Sequence, residues 1–390
     1  MLTSHLSMVQ FLKQLLALLL LGAIALLGLT ACELPQVRAE DRIFLPLTLD
    51  YLGEYRLPDS TWEGTRVGGL SGLAYDRNQN RFYAVSDDRS GYAPARFYSL
   101  KLLLQSPGGQ TPGIDRVEVE GVTPIKNQQG ENYPPNSLDP EGIALTPQGT
   151  VFISSEGVKD QAPPFVAEFN LTTGAWLKDI ALPDYFIPKV KPDGSRQGVG
   201  NNLGLESLSL SPTAERLFTA TESALVQDRA PNNPGLIRTR LLHYLLGEPK
   251  SLLVAEHLYA LEPTPPGATH HGLVELLCLD NGGHFLSLER TFTPGKGIDA
   301  KLFQVALGAA TDVSTLAVLQ GELSGIEPVR KQLLLDLNQL GIPLDNLEGM
   351  AIGPRLKDGS PSLLLVSDNN FQKGLSTQFL LFRLQGLTPG

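Results

Sequence analysis

Cysteine is nearly missing from this sequence, two in 390 residues, which excludes a disulfide framework and any zinc site built from paired cysteines. Histidine is scarce at six, and His270, His271 and His284 show no spacing that recreates a zinc-binding helix. No G-x-S-x-G occurs, so a serine nucleophile elbow has no support. A basic excess is also missing: 31 Lys and Arg face 41 Asp and Glu, a net charge of −10. That balance argues against nucleic-acid binding, which rests on cationic neutralisation of phosphates. It also repels phosphorylated ligands unless bound cations reverse the local field. Charged residues make up only 18% of the chain, whereas Gly (39), Pro (29) and a 42% hydrophobic fraction are ample. Such a composition favours many short strands joined by many turns.

Only one long apolar run is present. After Lys13 the chain is uncharged from Gln14 through Leu15, Leu21 and Leu27 to Ala31, the charged and apolar regions of an export signal. The run ends in Leu29-Thr30-Ala31-Cys32, which resembles the bacterial lipobox. This reading predicts a lipoprotein signal peptide at 1–31, a tether at 32–42 and one domain at 43–390. The chain is then exported and held at a membrane surface of the cell envelope, periplasmic or external, by lipidated Cys32. A plain transmembrane anchor is the alternative, although the run is barely long enough to span. Cys278 lies in the apolar Leu276-Leu277-Cys278-Leu279 and reads as a buried, inert thiol.

Beyond the tether the pattern is β-strand, and one hairpin recurs. Its clearest copy is Asn346 to Asn370, where Glu348 precedes one apolar strand and Asp368 follows the next, across a turn holding Pro354, Asp358, Gly359 and Pro361. An antiparallel hairpin returns to its starting end, so Glu348 and Asp368 are expected side by side. Earlier copies carry Glu141 and Glu156, Glu206 and Glu222, and Glu275 and Glu289. The first copy has Ser71 in place of the leading acid and Asp87 in the second position. A third apolar strand follows each hairpin, and units begin near 69, 139, 204, 271 and 346. The fold class is therefore all-β, a β-propeller. Because 65 to 75 residues per unit exceeds the usual ~40 to 50, six blades are expected, with five or seven as alternatives. Long inter-blade loops would fill the difference, and Asp312 to Gly321 could belong to a hidden blade. Val329, Leu333, Leu334, Leu337 and Leu340 fall near helical spacing, so a short helix is predicted at 328–340.

Blades share one orientation about the axis, so equivalent hairpin ends converge on one mouth of the channel. Asp87, Glu141, Glu156, Glu206, Glu222, Glu275, Glu348 and Asp368 become candidate metal ligands, with Glu289 beside them. Single acids near glycine are ordinary turn residues, but a turn does not require a glutamate at both ends of successive hairpins. So many carboxylates need raised pKa values or bound cations, and hard oxygen donors in number suit calcium. Arg290, directly after Glu289, Arg89 after Asp87-Asp88, and Lys373 after Asp368 are candidate grips for an anionic substrate.

The segments GGLSGLAYD, LDPEGIAL, LGLESLSLSP, SLERTF, NLEGMAIG and LLLVSDNN resemble the phytase-like domain described as "esterase-like activity of phytase", over about Leu47 to Leu384. The resemblance implies a propeller related by analogy to calcium-dependent phytases. By it, Glu141, Glu206 and Glu348 match first-acid positions, and Glu156, Glu222, Glu289-Arg290 and Asp368 match the second. The Asp-rich signature of classical propeller phytases is absent. The expected chemistry is metal-assisted hydrolysis of a phosphomonoester or related ester by a monomer, with Glu289 and Arg290 catalytic. Two alternatives stay open: a non-catalytic envelope propeller with structural calcium, and a lactonase-like sugar-ester hydrolase.

Overall fold

The computed structural model describes residues 43–105 and 113–387. The signal peptide, the tether and Cys32 lie outside the described residues. Five four-stranded antiparallel sheets radiate from one axis. From inner to outer strand, blade I comprises Leu70–Asp76, Arg81–Ser86, Arg96–Leu104 and Ile114–Pro124, and blade II Pro140–Leu145, Thr150–Ser155, Phe165–Asn170 and Trp176–Ile180. Blade III holds Leu205–Leu210, Arg216–Thr221, Arg238–Leu245 and Leu252–Ala260, and blade IV His270–Cys278, His284–Thr293, Gly297–Ala306 and Arg330–Asp336. Blade V takes Asn346–Arg355, Pro361–Asp368 and Thr377–Gln385, and borrows its outer strand, Thr48–Leu57, from the other end of the domain. That strand pairs from Thr48 with Gln385 to Leu57 with Thr377, closing the ring by backbone hydrogen bonds.

The core is divided among the wedges between blades. Leu70, Phe82 and Tyr98 of blade I pack with Leu364, Val366 and Phe379 of blade V, and Tyr83, Val85 and Phe97 pack with Ile143, Ile153 and Phe169 of blade II. Successive strand residues point to opposite faces, so each inner strand serves two wedges and its residues are buried on both sides. Full burial of each such side chain stabilises the fold by about 1.5–3 kcal/mol.

The blade number is five, not six. The extra length goes into long strands, loops and one strap. Residues 307–329 run along the outer edge of blade III instead of forming a blade: the Val313 N–H donates to Glu256 O at 2.7 Å, the Val329 N–H to Leu258 O at 2.9 Å, and Val313 and Leu319 pack on Leu258. Buried Arg240 pins the strap by donating to Leu316 O at 3.0 Å while it pairs with Asp228 and Glu256. The helix predicted at 328–340 is an outer strand, Arg330–Asp336, followed by a single 3-10 turn, Leu337–Leu340. An outer strand is half exposed, and its paired leucines satisfy either period. Among the described residues no helix is long and apolar enough to cross a membrane.

Candidate functional site

Strand register places ten side chains at equivalent points around the axis. Leu70 pairs with Ser86, Pro140 with Ser155, Leu205 with Thr221, Leu273 with Glu289, and Leu347 with Ser367. In every blade a β-bulge falls on the inner strand just after this pair, and a bulge re-aims the side chain it carries. The residues at this step are Ser71, Glu141, Glu206, Val274 and Glu348. One residue past the pair on the second strand stand Asp87, Glu156, Glu222, Arg290 and Asp368.

Blade IV therefore breaks the pattern. Its bulge carries Val274, and Arg290 takes the place held by an acid in the other four blades. Glu275 lies one step on, aligned with Gly72, Gly142, Ser207 and Gly349. There its carboxyl accepts from the Leu276 N–H at 2.8 Å and is bonded by backbone groups of Leu208 and Met350, in the inner strands of blades III and V. Glu289 likewise faces away from the cluster. It accepts from the Tyr259 hydroxyl at 2.8 Å, the Glu262 N–H at 3.0 Å and Lys331 Nζ at 2.5 Å. The structure brings neither Glu275 nor Glu289 into the acid ring. Lys373 is exposed on the loop after Asp368 and does not line the cavity.

The remaining candidates share a cavity of about 300 Å³, walled by Asp87, Arg89, Asp139, Glu141, Glu206, Arg290, Glu348 and Asp368, with Tyr92, Asn202 and Phe371 among its other lining residues. Glu156 and Glu222 reach the same cluster through the ion pairs described next. Arg290 donates to Glu348, to Asn346 Oδ1 at 2.5 Å and to Glu222 Oε1 at 3.4 Å. Asn346 Nδ2 in turn bridges Glu348 Oε1 at 2.8 Å and Asp368 Oδ2 at 3.4 Å, so the two acids of this hairpin are neighbours as expected. Arg89, its side chain 38% exposed at the rim, pairs with Asp139, lies 3.8 Å from Glu156 and donates to Asn202 Oδ1 at 2.7 Å. Close approach between blades needs small residues: a Cβ on Gly204 would collide with Glu156, whose Oε2 accepts the Gly204 N–H at 2.7 Å, and one on Gly272 would collide with Glu222.

Asp139 was not singled out by the repeat, because it stands two residues before the bulge acid. The signal was the Asp-Pro-Glu at the entry to blade II. Its oxygens, with those of Glu141 and Glu156, lie within 4.8 Å of one another, which matches the span across an ion whose oxygen ligands sit at about 2.3–2.6 Å. Two buried carboxylate oxygens, Asp87 Oδ1 and Glu156 Oε1, have no hydrogen-bond partner. A buried acceptor left without a donor is costly, and a cation would satisfy it. An all-oxygen, acid-rich donor set fits calcium.

The charge imbalance appears in the acidities. Burial pushes the Asp87 carboxyl up to about 8, helped by Glu348 and Asp139. Burial raises Glu222 to about 7 against the opposing pull of Arg290. Glu141 and Glu206 are raised well above the carboxylate range by burial and then chiefly by Glu206 and Glu222 respectively. Glu156 and Asp368 move the same way, by burial and then chiefly by Asp139 and Asp87 respectively. The site can therefore accept and release protons near neutral pH.

A family model described as phytase-like, "Esterase-like activity of phytase", matches residues 65–371. An uncharacterized secreted protein of Arthroderma benhamiae is 28% identical over 128 residues, 28% of this chain and 24% of that protein. The chain thus spans about a quarter of the length of this curated relative. Among solved structures, the catalytic domain of a Coprinopsis cinerea α-L-arabinofuranosidase is 10% identical, with 89% of this chain and 99% of that one covered at a TM-score of 0.43. A gluconolactonase from Xanthomonas campestris is 10% identical, covering 88% and 93% at a TM-score of 0.30.

Proposed function

Because the chain belongs to the phytase-like family, we propose that it is a propeller hydrolase that cleaves phosphomonoesters or related esters with the help of bound calcium. The observation that carries this reading is the set of buried carboxylates, with Asp87 Oδ1 and Glu156 Oε1 left without donors, on an open cavity that also holds two arginines. Asp139, Glu141 and Glu156 would hold one ion, and Asp87, Glu348 and Asp368 offer further oxygens. A bound cation there would neutralise substrate oxygens and lower the pKa of a water.

The chain's own residues supply the rest. Arg290 is held on three sides by Glu348, Asn346 and Glu222, which fixes a positive charge toward the cavity for an anion developing on the substrate. Arg89, half exposed and braced by Asn202, can take a substrate oxygen at the rim. Glu222, raised by burial to about 7, is placed to hold or release a proton at pH 7. Of the two residues expected to be catalytic, Glu289 is engaged elsewhere and Arg290 keeps the role. Export and lipid anchoring at Cys32 belong to the same proposal.

Calcium titration by calorimetry, followed by turnover of p-nitrophenyl phosphate and acyl esters with calcium or with EDTA, tests it. EDTA-reversible binding together with calcium-dependent turnover is expected. Absence of calcium binding overturns the metal site, and binding with no turnover of any ester favours a non-catalytic propeller.

A further inference from the structure

At the mouth of the cavity an aromatic side chain is held out into solvent. Tyr92 is 67% exposed, and its ring centroid lies 4.7 Å from that of Phe371 with 34° between the planes. Both residues line the cavity that contains the carboxylates. An exposed tyrosine on a slack loop would mean little, but this one is fixed from below. Asp88 Oδ1 accepts the N–H groups of Gly91 at 2.7 Å and Tyr92 at 3.1 Å, and Oδ2 accepts that of Ala93 at 3.0 Å. Asp88 is itself held by fully buried Arg96 at 2.7 Å.

Phe371 is equally constrained. Its N–H donates to Asn369 Oδ1 at 3.1 Å, and its carbonyl accepts from Arg66 Nη1 at 2.9 Å. The guanidinium carbons of Arg66 and Arg96 lie 5.6 and 6.0 Å from its ring centroid. Two blades thus support a rigid stack, with one ring buried and the other presented to whatever enters. Holding an apolar ring exposed forgoes burial, and a fixed ring loses little entropy when another flat face covers it.

We propose that Tyr92 is a specificity-determining platform that stacks against a flat ring, aromatic or pyranose, carried by the alcohol part of the ester, while the acid and arginine cluster takes the charged end. The proposal rests on the hydrolytic reading for its substrate class.

Calorimetric binding of phenylphosphonate, glucose 1-phosphate and methylphosphonate in calcium, to the full domain, separates the two ideas. The wild type is expected to bind at least one ring-bearing ligand about tenfold more tightly than methylphosphonate. Tyr92→Ala should lose that preference and Tyr92→Phe should keep it; a preference for phenylphosphonate alone marks an aromatic substrate, and for glucose 1-phosphate alone a sugar. Equal affinities in the wild type, a preference that survives Tyr92→Ala, or no binding of any of the three overturns the platform. Ring preference without ester turnover leaves the platform standing and overturns the hydrolase reading. The wild-type comparison decides the matter even if Tyr92→Ala fails to fold.

Discussion

Arg290 of blade IV donates to Glu348 of blade V, across the boundary between the two blades, from a position that every other blade fills with an acid. Burial pulls the guanidinium pKa down, and Glu348, Glu222 and Glu206 more than offset it, so the charge is permanent. Among the ten ring positions one permanent cation faces seven carboxylates (Asp87, Glu141, Glu156, Glu206, Glu222, Glu348 and Asp368) and offsets part of their mutual repulsion at Glu206, Glu222 and Glu348.

Arg290→Met should therefore destabilise the metal-free protein by about 3–5 kcal/mol at pH 8, the cost of leaving a buried charge unpaired. At pH 5 the loss should shrink, because the partners can protonate. Urea unfolding midpoints at the two pH values check this. An equal loss at both would mean that packing, not charge, is what Arg290 supplies.

The pH dependence of the metal-free protein has a defined sign. In the unfolded chain these carboxyls ionise near 4, whereas in the fold Asp87 does so at about 8 and Glu222 at about 7. The folded state holds protons that the unfolded state has released. Their contribution to stability is full below about pH 4 and is lost as pH rises through about 7 to 8. Melting temperature in EDTA should fall between pH 5 and pH 8.5, and calcium should recover most of the loss. Calcium uptake at pH 7 should also release protons, seen as a buffer-dependent binding enthalpy.

Neutralising one acid of the ring should raise stability without metal and weaken the response to it. Glu156→Gln keeps the shape of the side chain and removes an ionisation that burial and Asp139 oppose. In EDTA at pH 8 its melting temperature should rise by about 1–2 °C, as about 1 kcal/mol would produce in a domain of this size. With calcium the order should reverse, the wild type gaining more. A fall in both conditions would show that Glu156 is needed for its Gly204 hydrogen bond rather than for its charge.

The propeller and the convergence of most of the candidate carboxylates were legible because a hairpin converts a linear interval into proximity, as for Glu348 and Asp368. What was not legible was the bulge. It leaves no residue signature, yet it shifts the face of every side chain beyond it by one step. Leu273-Val274-Glu275 looks like Leu205-Glu206-Ser207 with its acid displaced, and only the ladder shows that Val274 is the equivalent of Glu206. Glu289 and Arg290 are adjacent, and only the ladder shows that Arg290, one residue past the Leu273–Glu289 pair, holds the second-acid place. Asp312 to Gly321, part of the strap, reads as room for a blade because its partner, the edge of blade III, is distant in sequence.

The sharpest check of that register is Glu275. If the bulge assignment holds, its carboxyl serves the inner strands and not the cavity: it takes the Leu276 N–H and backbone donors from blades III and V. Burial raises its pKa well above the ordinary carboxylate range, which favours the neutral form. Glu275→Gln, also neutral and of the same shape, should then cost only about 1 kcal/mol. Glu275→Ala should cost more, about 2–5 kcal/mol, because it strands backbone donors and leaves a void. Neither should change calcium affinity, whereas Glu141→Gln should lower it markedly. A calcium titration of Glu275→Gln that shifts as far as that of Glu141→Gln would place Glu275 in the ring and overturn the register.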